Sequence, residues 1–423
     1  MAEPMVRDGS STSASVVSPR LPVRRLDRRL ALLKERHLMA LGGIRRFLRG
    51  HSCYDVLPVS FRLVVLDTKL TIRSAVDVMW QNGIVSAPLW QSTLPRGPLH
   101  PSQPSGAESA LERPGFAGMI TVNDIIHLIQ YYYHTSTNYD HASLDVELFR
   151  LERLSEIERL LNVPPPPLLW IGPLRPLAEA AELLVRTHAR RVPLLDFDEQ
   201  LGIETVVSVL TQYRLLKFIA MNCAETTGLK ASIGSLGIGT YTYAHLLERK
   251  QRAPAARIHM CDPPPPGASP YYPLATATLD TTVFDVVHMF SQQGISAVPI
   301  LDKDGDVVDV YESVDVITLV RTGAYHSLDF TICEALERRP PEHAGIACCS
   351  SNDSLASVFA LLRHRRVHRM LVLAPERGSA GNDGLGDLDS PPLRAKGKLV
   401  GVLCLSDVLK YIVGNPDKNE LQA

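Results

Sequence analysis

A chain of 423 residues, 45% hydrophobic and 21% charged, carries enough apolar side chain for two or three domains with real cores. Its 44 Lys and Arg balance 45 Asp and Glu, so net charge gives no case for nucleic acid or an anionic membrane as partner. No run of about 18 apolar residues occurs, so no spanning helix is expected, and seven scattered cysteines without a CxxC pair suit a reducing compartment better than a disulfide framework or a zinc site.

The first segment, "MAEPMVRDGSSTSASVVSPR", has early acids and no apolar core, which argues against a secretory signal. The basic stretch "RRLDRRLALLKERHLMALGGIRRFLRG" places Leu26, Leu30, Leu33 and Leu41 near helical spacing and predicts one helix. That helix either packs on the body with a solvated basic face or is presented to a partner or an anionic surface. Residues 1–50 are thus expected to form a partly disordered N-terminal extension with a basic helix.

From residue 58 a pattern begins that returns three times. In the first unit, 58–137, "LTIRSAVDVMWQNG" has helical spacing and a stop signal, "GIVSAPLW" reads as a strand, and "FAGMITVNDIIHLIQYY" as a strand turning into a helix at Thr121. The second, 164–228, has "HARRVPLLD" and "ETVVSVLTQYRLLKFI", with Thr211 and Arg214 at the turn. The third, 236–330, has "TTVFDVVHMFSQQG", "GISAVPILD" and "DVVDVYESVDVITLV", with Glu312 and Asp315. The fourth, 342–417, has "RVHRMLVL" and "GKLVGVLCLSDVLKYI", with Asp407. Asp124, Arg214, Asp315 and Asp407 are 90, 101 and 92 residues apart, a period that marks repeated architecture. Each unit reads helix, strand, strand, helix. Residues 91–114 and 374–396 fall between paired strands as enlarged loops, and 245–272, with "CDPPPPGASP", precedes the third unit; all three are expected to be mobile and dispensable for the core.

A recurring carboxylate at a strand-to-helix turn has a structural explanation. Thr121-x-x-Asp124 reads as a helix cap, the acid accepting backbone N–H bonds at the positive end of the dipole. Arg214 breaks that logic, because a cation there is disfavoured by roughly 0.3–1 kcal/mol. A basic pair also recurs at strand starts, Arg190 and Arg191 in the second unit and His368 and Arg369 in the fourth. Strand alternation sends some of Arg365, Arg366, His368 and Arg369 to solvent with no ligand needed. Yet a carboxylate suits a ribose diol while Arg and His suit phosphate oxygens, so together these residues describe the two ends of a nucleotide. Enzyme readings find little support: there is no GxxxxGK[ST], HExxH or CxxC…CxxC, and "GSLGIGTY" lacks the strand-Gly-helix context of a dinucleotide fold.

Helix-strand-strand-helix units ending in Ser/Thr-x-x-Asp resemble CBS repeats, and four in one chain resemble the regulatory gamma subunits of AMP-activated protein kinases. "CYDVLPVSFRLVVLDTKL", "NGIVSAPLW", "FAGMIT", "VVSVLTQYRLLKF", "LGIGTYTY", "RVHRMLVL" and "LSDVLKYIV" are similar to the fungal version, over about residues 51–415. The resemblance implies an α/β (α+β) fold of four tandem CBS repeats, paired one with two and three with four into two Bateman modules arranged as a disc. It implies a non-enzymatic regulatory subunit that holds AMP, ADP or ATP in its clefts, no metal, and a kinase catalytic (alpha) and a scaffold (beta) subunit as partners in cytoplasm and nucleus. A CBS-type sensor serving another client enzyme or transporter is the alternative. "YYYHTS" offers either aromatic anchors for a partner or a buried helix end.

Residue by residue, the resemblance makes Asp124, Asp315 and Asp407 ribose-binding carboxylates, with Thr121 at the first. Arg190, Arg191, His368 and Arg369 match central phosphate contacts; Thr240, Ala275, Ser296 and Ser406 match the lining of the cleft that uses Asp407. Arg214 replaces the carboxylate of the second unit, which leaves that cleft empty. Val85 and Tyr213 stand where animal relatives have Arg and Lys, removing two phosphate contacts worth roughly 1.5–3 kcal/mol each. Cys404 replaces a hydroxyl residue three before Asp407, and Glu312 holds that slot in the third unit. The site on Asp407 therefore keeps the most contacts, that on Asp315 fewer, and that on Asp124 fewest.

Overall fold

Hydroxyl side chains start three of the four first helices. Thr71, Thr282 and Ser354 sit in extended backbone and accept from Ser74 N, Asp285 N and Ser357 N, satisfying donors that a helix start leaves open. The second unit begins instead at Pro176, which caps nothing by its side chain. The computed structural model describes residues 23–94, 113–135, 139–161, 167–198, 200, 202–242, 245, 271–321, 328–339, 345–374 and 397–414. Most of the three expected loop regions lies outside these residues.

A long helix, α1 (Val23–Gly50), precedes the repeats. The first unit is β1 (Leu66–Asp67), α2 (Ile72–Gln81), β2 (Ser86–Leu94), β3 (Arg113–Thr121) and α3 (Val122–Thr135). After α4 (Tyr139–Leu148) and α5 (Leu154–Leu160) comes the second: α6 (Leu177–Arg186), β4 (Arg191–Asp198), β5 (Ile203–Thr211) and α7 (Gln212–Asn222). α8 (Ile233–Leu236) and β6 (Thr240–Tyr241) lead to the third, made of β7 (Ala277–Thr278), α9 (Val283–Gln293), β8 (Ala297–Leu301), β9 (Val307–Glu312) and α10 (Ser313–Arg321). α11 (Ile332–Glu337) leads to the fourth: β10 (Cys348–Ser350), α12 (Leu355–His364), β11 (Arg369–Leu373), β12 (Leu399–Cys404) and α13 (Leu405–Val413). The two long strands of each unit pair antiparallel. A short strand parallel to the first of them, which the repeat pattern does not reveal, is added in three units, and the second has only the Ile171–Leu194 bridge there.

Neighbouring units exchange their leading segments. Leu177 N at the start of α6 donates to His51 O ahead of the first unit (2.7 Å), while Ile72 N at the start of α2 donates to Phe149 O ahead of the second (2.8 Å). The same exchange joins the third and fourth: Val283 N to Phe330 O (2.8 Å), Ile332 N to Thr281 O (2.9 Å), Ile233 N to Asp353 O (2.9 Å) and Leu355 N to Ala231 O (3.1 Å). Backbone donors at each helix start are thus satisfied by the partner unit, which ties one to two and three to four.

The apolar cores run the other way. One buries Met79, Ile120 and Ile125 of the first unit with Phe290, Val298 and Tyr311 of the third; another buries Leu184, Leu215 and Ile219 of the second with Phe359, Leu362 and Leu409 of the fourth. A smaller cluster of Val307, Val310, Leu371 and Leu399 joins the sheets of the third and fourth units. The contacts close a ring of four units. Helix α1 joins the second core through Ala40, Leu41, Ile44 and Leu48, and its approach is close: a Cβ on Gly228 would lie 2.9 Å from Ala40 Cβ. Leu41 is buried as its spacing suggests, but Leu33 is exposed, and the side chains of Leu26 and Leu30 lie outside the described residues. Tyr131 and Tyr132 of the "YYYHTS" run pack partly buried against the first core, which accounts for these two as helix-end residues.

Candidate functional site

In every unit the first residue of the leading long strand lies directly across from the residue that precedes or caps the second helix. The pairs are Ser86 with Thr121, Arg191 with Thr211, Ala297 with Glu312, and Arg369 with Cys404. Antiparallel pairing therefore carries the strand-start cation Arg369 to the helix start where Asp407 sits, and Arg191 to the helix start of the second unit, where Arg214 replaces the acid. The capping role of the repeated acids is real. Asp124 Oδ2 accepts from Thr121 N (2.6 Å) and Oγ1 (2.9 Å), Asp315 Oδ2 from Glu312 N (2.8 Å), and Asp407 Oδ2 from Cys404 N (2.8 Å). In each case the cap takes Oδ2, and what meets the other oxygen separates the three.

The Asp407 carboxylate accepts no other hydrogen bond among the described residues; burial pushes it up to about 6. Asp124 is also pushed to about 6 by burial, and it shares its surroundings with Glu158 of α5, itself raised to about 7 by burial and then by Asp124. Two acids placed together resist a second negative charge. Asp315 is already paired: Arg339 donates from Nε to Oδ1 (2.9 Å) and from Nη2 to Oδ2 (2.6 Å), and from Nη1 to Asp309 (2.8 Å). Arg214, where the second unit lacks an acid, has its N–H capped by Thr211 (3.1 Å) and folds its guanidinium onto Val209 O (3.1 Å).

The basic residues converge. Arg190 is held below its ordinary range by burial and then by Arg369; Arg191 falls to about 10 through burial, Arg190 and Arg366; His368 falls to about 4 through burial and Arg366. Arg190, Arg366 and His368 nonetheless remain open to water. A side chain that is both surrounded by protein and reachable by solvent lines a hollow. Tyr213 flanks the hollow with its ring 5.7 Å from that of His368. Among the described residues the one acid in an ion pair with these cations is Glu312, 3.0 Å from Arg369 Nε, and the Nε–H is not aimed well enough to bond it. A cluster of like charges with so little compensation is electrostatically suited to an anion.

The hollow gathers Arg190, Arg191, His368 and Arg369, and Arg369 lies opposite Cys404, whose helix carries Asp407. Thr240 pairs with Val402 on that same strand, two residues before Cys404. Ser406 follows it within the first turn of α13; Ser296 is buried at the base of β8, and Ala275 is partly buried beside the first core. Sequence reasoning left Arg366 as one of several strand-start cations of undecided orientation and did not single out Glu158 or Arg339. The last two come from the exchanged segments α5 and α11, whose arrival at a neighbouring helix leaves no local periodicity to read.

A model of the CBS domain matches residues 268–321. The 5'-AMP-activated protein kinase subunit gamma of Saccharomyces cerevisiae is 38% identical over 375 residues, covering 89% of this chain and 94% of that protein; its Kluyveromyces lactis counterpart is 37% identical over 376 residues, covering 89% and 92%. A solved structure from Methanocaldococcus jannaschii shares the fold, with a TM-score of 0.52 at 13% identity, over 85% of this chain and 99% of that one.

Proposed function

This chain belongs to the family of 5'-AMP-activated protein kinase gamma subunits, regulatory and non-catalytic proteins that sense nucleotides through CBS domains, and from that premise we propose how it does so. AMP, ADP or ATP is held with its ribose diol on the free oxygen of Asp407 and its phosphates on Arg190, Arg191, His368 and Arg369. Thr240, Ala275, Ser296 and Ser406 line the same cleft. The observation that carries this reading is the solvent-exposed cation cluster with Glu312 as its one ion-paired acid among the described residues, facing the strand end that leads to Asp407. Asp124, with Thr121, forms a weaker seat because Glu158 adjoins it, and the second unit has no carboxylate to offer.

Nucleotide then acts on a catalytic (alpha) subunit through a scaffold (beta) subunit, in cytoplasm and nucleus, by favouring one arrangement of the complex over another. Phosphate number is read by a fixed set of cations, so the response is a difference in binding energy between states. Calorimetry of the full chain with AMP tests the site: Asp407→Ala is expected to weaken binding by at least about tenfold, and unchanged affinity removes Asp407 from it. Affinity purification tests the partners, since their reproducible absence would overturn that part of the reading.

A further inference from the structure

We propose that the exposed N-terminal part of α1 is a docking surface for an acidic amphipathic helix of a partner protein. The proposal goes beyond the reading of the clefts and does not depend on it. Leu33, His37, Leu41, Ile44 and Leu48 follow one another at steps of three or four residues, which places them on one face of the helix. The last four are buried, with His37 at 3% and Ile44 at 0%, yet Leu33 on the same line is 47% exposed. Every side chain from Ala31 to Arg36 is exposed. The apolar stripe therefore runs off the body, and in the sequence Leu30 and Leu26 continue its steps. The base from which it runs is fixed: His37 Nε2 meets Tyr411 OH at 2.7 Å, and Arg45 Nε donates to Ile412 O at 2.7 Å.

Charge and shape select the occupant. α1 holds nine Lys and Arg against two acids, in a chain whose total is 44 against 45. Lys34 and Arg36, both exposed, flank the stripe on its two sides, while Glu35 falls on the opposite face. Those are the flanking positions at which charge chooses a helix's partner, and here they call for carboxylates. A second copy of this chain would bring Lys34 and Arg36 against the same cations, which disfavours self-pairing. A bilayer is disfavoured by shape. The stripe faces the side on which the body packs, so a flat surface meets the body first, whereas a helix about 10 Å across fits the corner between α1 and the body.

The test uses the full chain and two synthetic helical peptides of about three heptads that share a leucine seam, one with glutamate and one with lysine at the flanking positions. By fluorescence anisotropy at low salt the glutamate peptide is expected to bind saturably, at least about tenfold more tightly than the lysine peptide. Leu33→Gln, checked for folding by thermal melting, is expected to weaken that binding about tenfold or more. Leu38→Gln, at an exposed leucine off the stripe, is expected to change it by less than about twofold. Lys34→Glu combined with Arg36→Glu is expected to reverse the preference between the peptides. Failure of the glutamate peptide to bind, equal binding of both peptides, or equal effects of the two leucine substitutions overturns the proposal. So does a Leu33-dependent dimer in sedimentation, or Leu33-dependent binding to phosphatidylserine vesicles that the glutamate peptide does not displace.

Discussion

Arg369 and Glu312 meet at 3.0 Å across the boundary between the fourth and third units, Glu312 at the end of the strand that leads to Asp315 and Arg369 at the start of the strand paired with the one that leads to Asp407. Glu312 partly neutralises the cation cluster and competes with any phosphate for Arg369. Glu312→Gln is therefore expected to strengthen AMP binding by about three- to tenfold at low salt, an effect that shrinks as ionic strength rises. Titrations at two salt concentrations check it, and an affinity that falls would show that Glu312 orients Arg369 instead of competing for it.

Cys404 occupies the N-cap of α13 in the extended backbone that a cap needs and shares a reciprocal cap with Asp407, but its sulfur is a weaker acceptor than a hydroxyl. Burial lifts the thiol to about 11, so it stays protonated and gives the cation cluster no thiolate. Thr211 at the same place in the second unit accepts from Arg214 N. Cys404→Ser should thus stabilise the chain by about 0.5–1 kcal/mol by supplying a stronger cap acceptor. A denaturant midpoint that rises without a change in slope is the expected result.

The repeat, the strand pairs and the strand-start cations were legible because each is a local pattern returning at near-constant spacing. Arg369 could be matched to Cys404 in principle, since an antiparallel hairpin fixes the register once its two ends are known. Arg339 and Glu158 could not, because they act on carboxylates of a preceding unit through segments whose own sequence shows only a short helix. The same holds for the cores: Phe290 and Phe359 read as apolar faces of their own helices, while their partners, the first unit for one and the second for the other, depend on ring closure. Capping and ligand binding, weighed as rivals from sequence, are compatible in the structure because the cap uses Oδ2 alone.

Helix α1 depends on a glycine contact. A side chain at Gly228 would force Ala40 away, whereas Gly50 at the end of the helix has open space around it. Gly228→Val is expected to cost about 1–3 kcal/mol and to speed amide exchange in α1. Gly50→Ala should be neutral or slightly stabilising, since alanine is the better helix former by up to about 1 kcal/mol. Equal effects of the two would mean that α1 is not held by close packing at Gly228.

Acid should act on stability and on binding in opposite directions. Asp124 and Asp407 rise from 3.8 to about 6, and Glu158 from 4.5 to about 7, in each case chiefly through burial. Between the ordinary and the raised value the folded chain binds more protons than the unfolded one, so these groups favour folding at low pH and lose that contribution as pH rises through about 6 to 7. Ribose recognition needs the opposite state, an ionised Asp407 that accepts from the diol. His368, held near 4, is neutral above that value, and a phosphate beside it would draw its pKa upward. AMP affinity is therefore expected to fall as pH drops below about 6, and binding just above that pH to be accompanied by proton uptake at His368. Calorimetry in buffers of different ionisation enthalpy separates the two groups: Asp407→Asn should flatten the fall, His368→Gln should abolish the uptake, and a pH-independent affinity in the wild type would refute the assigned roles.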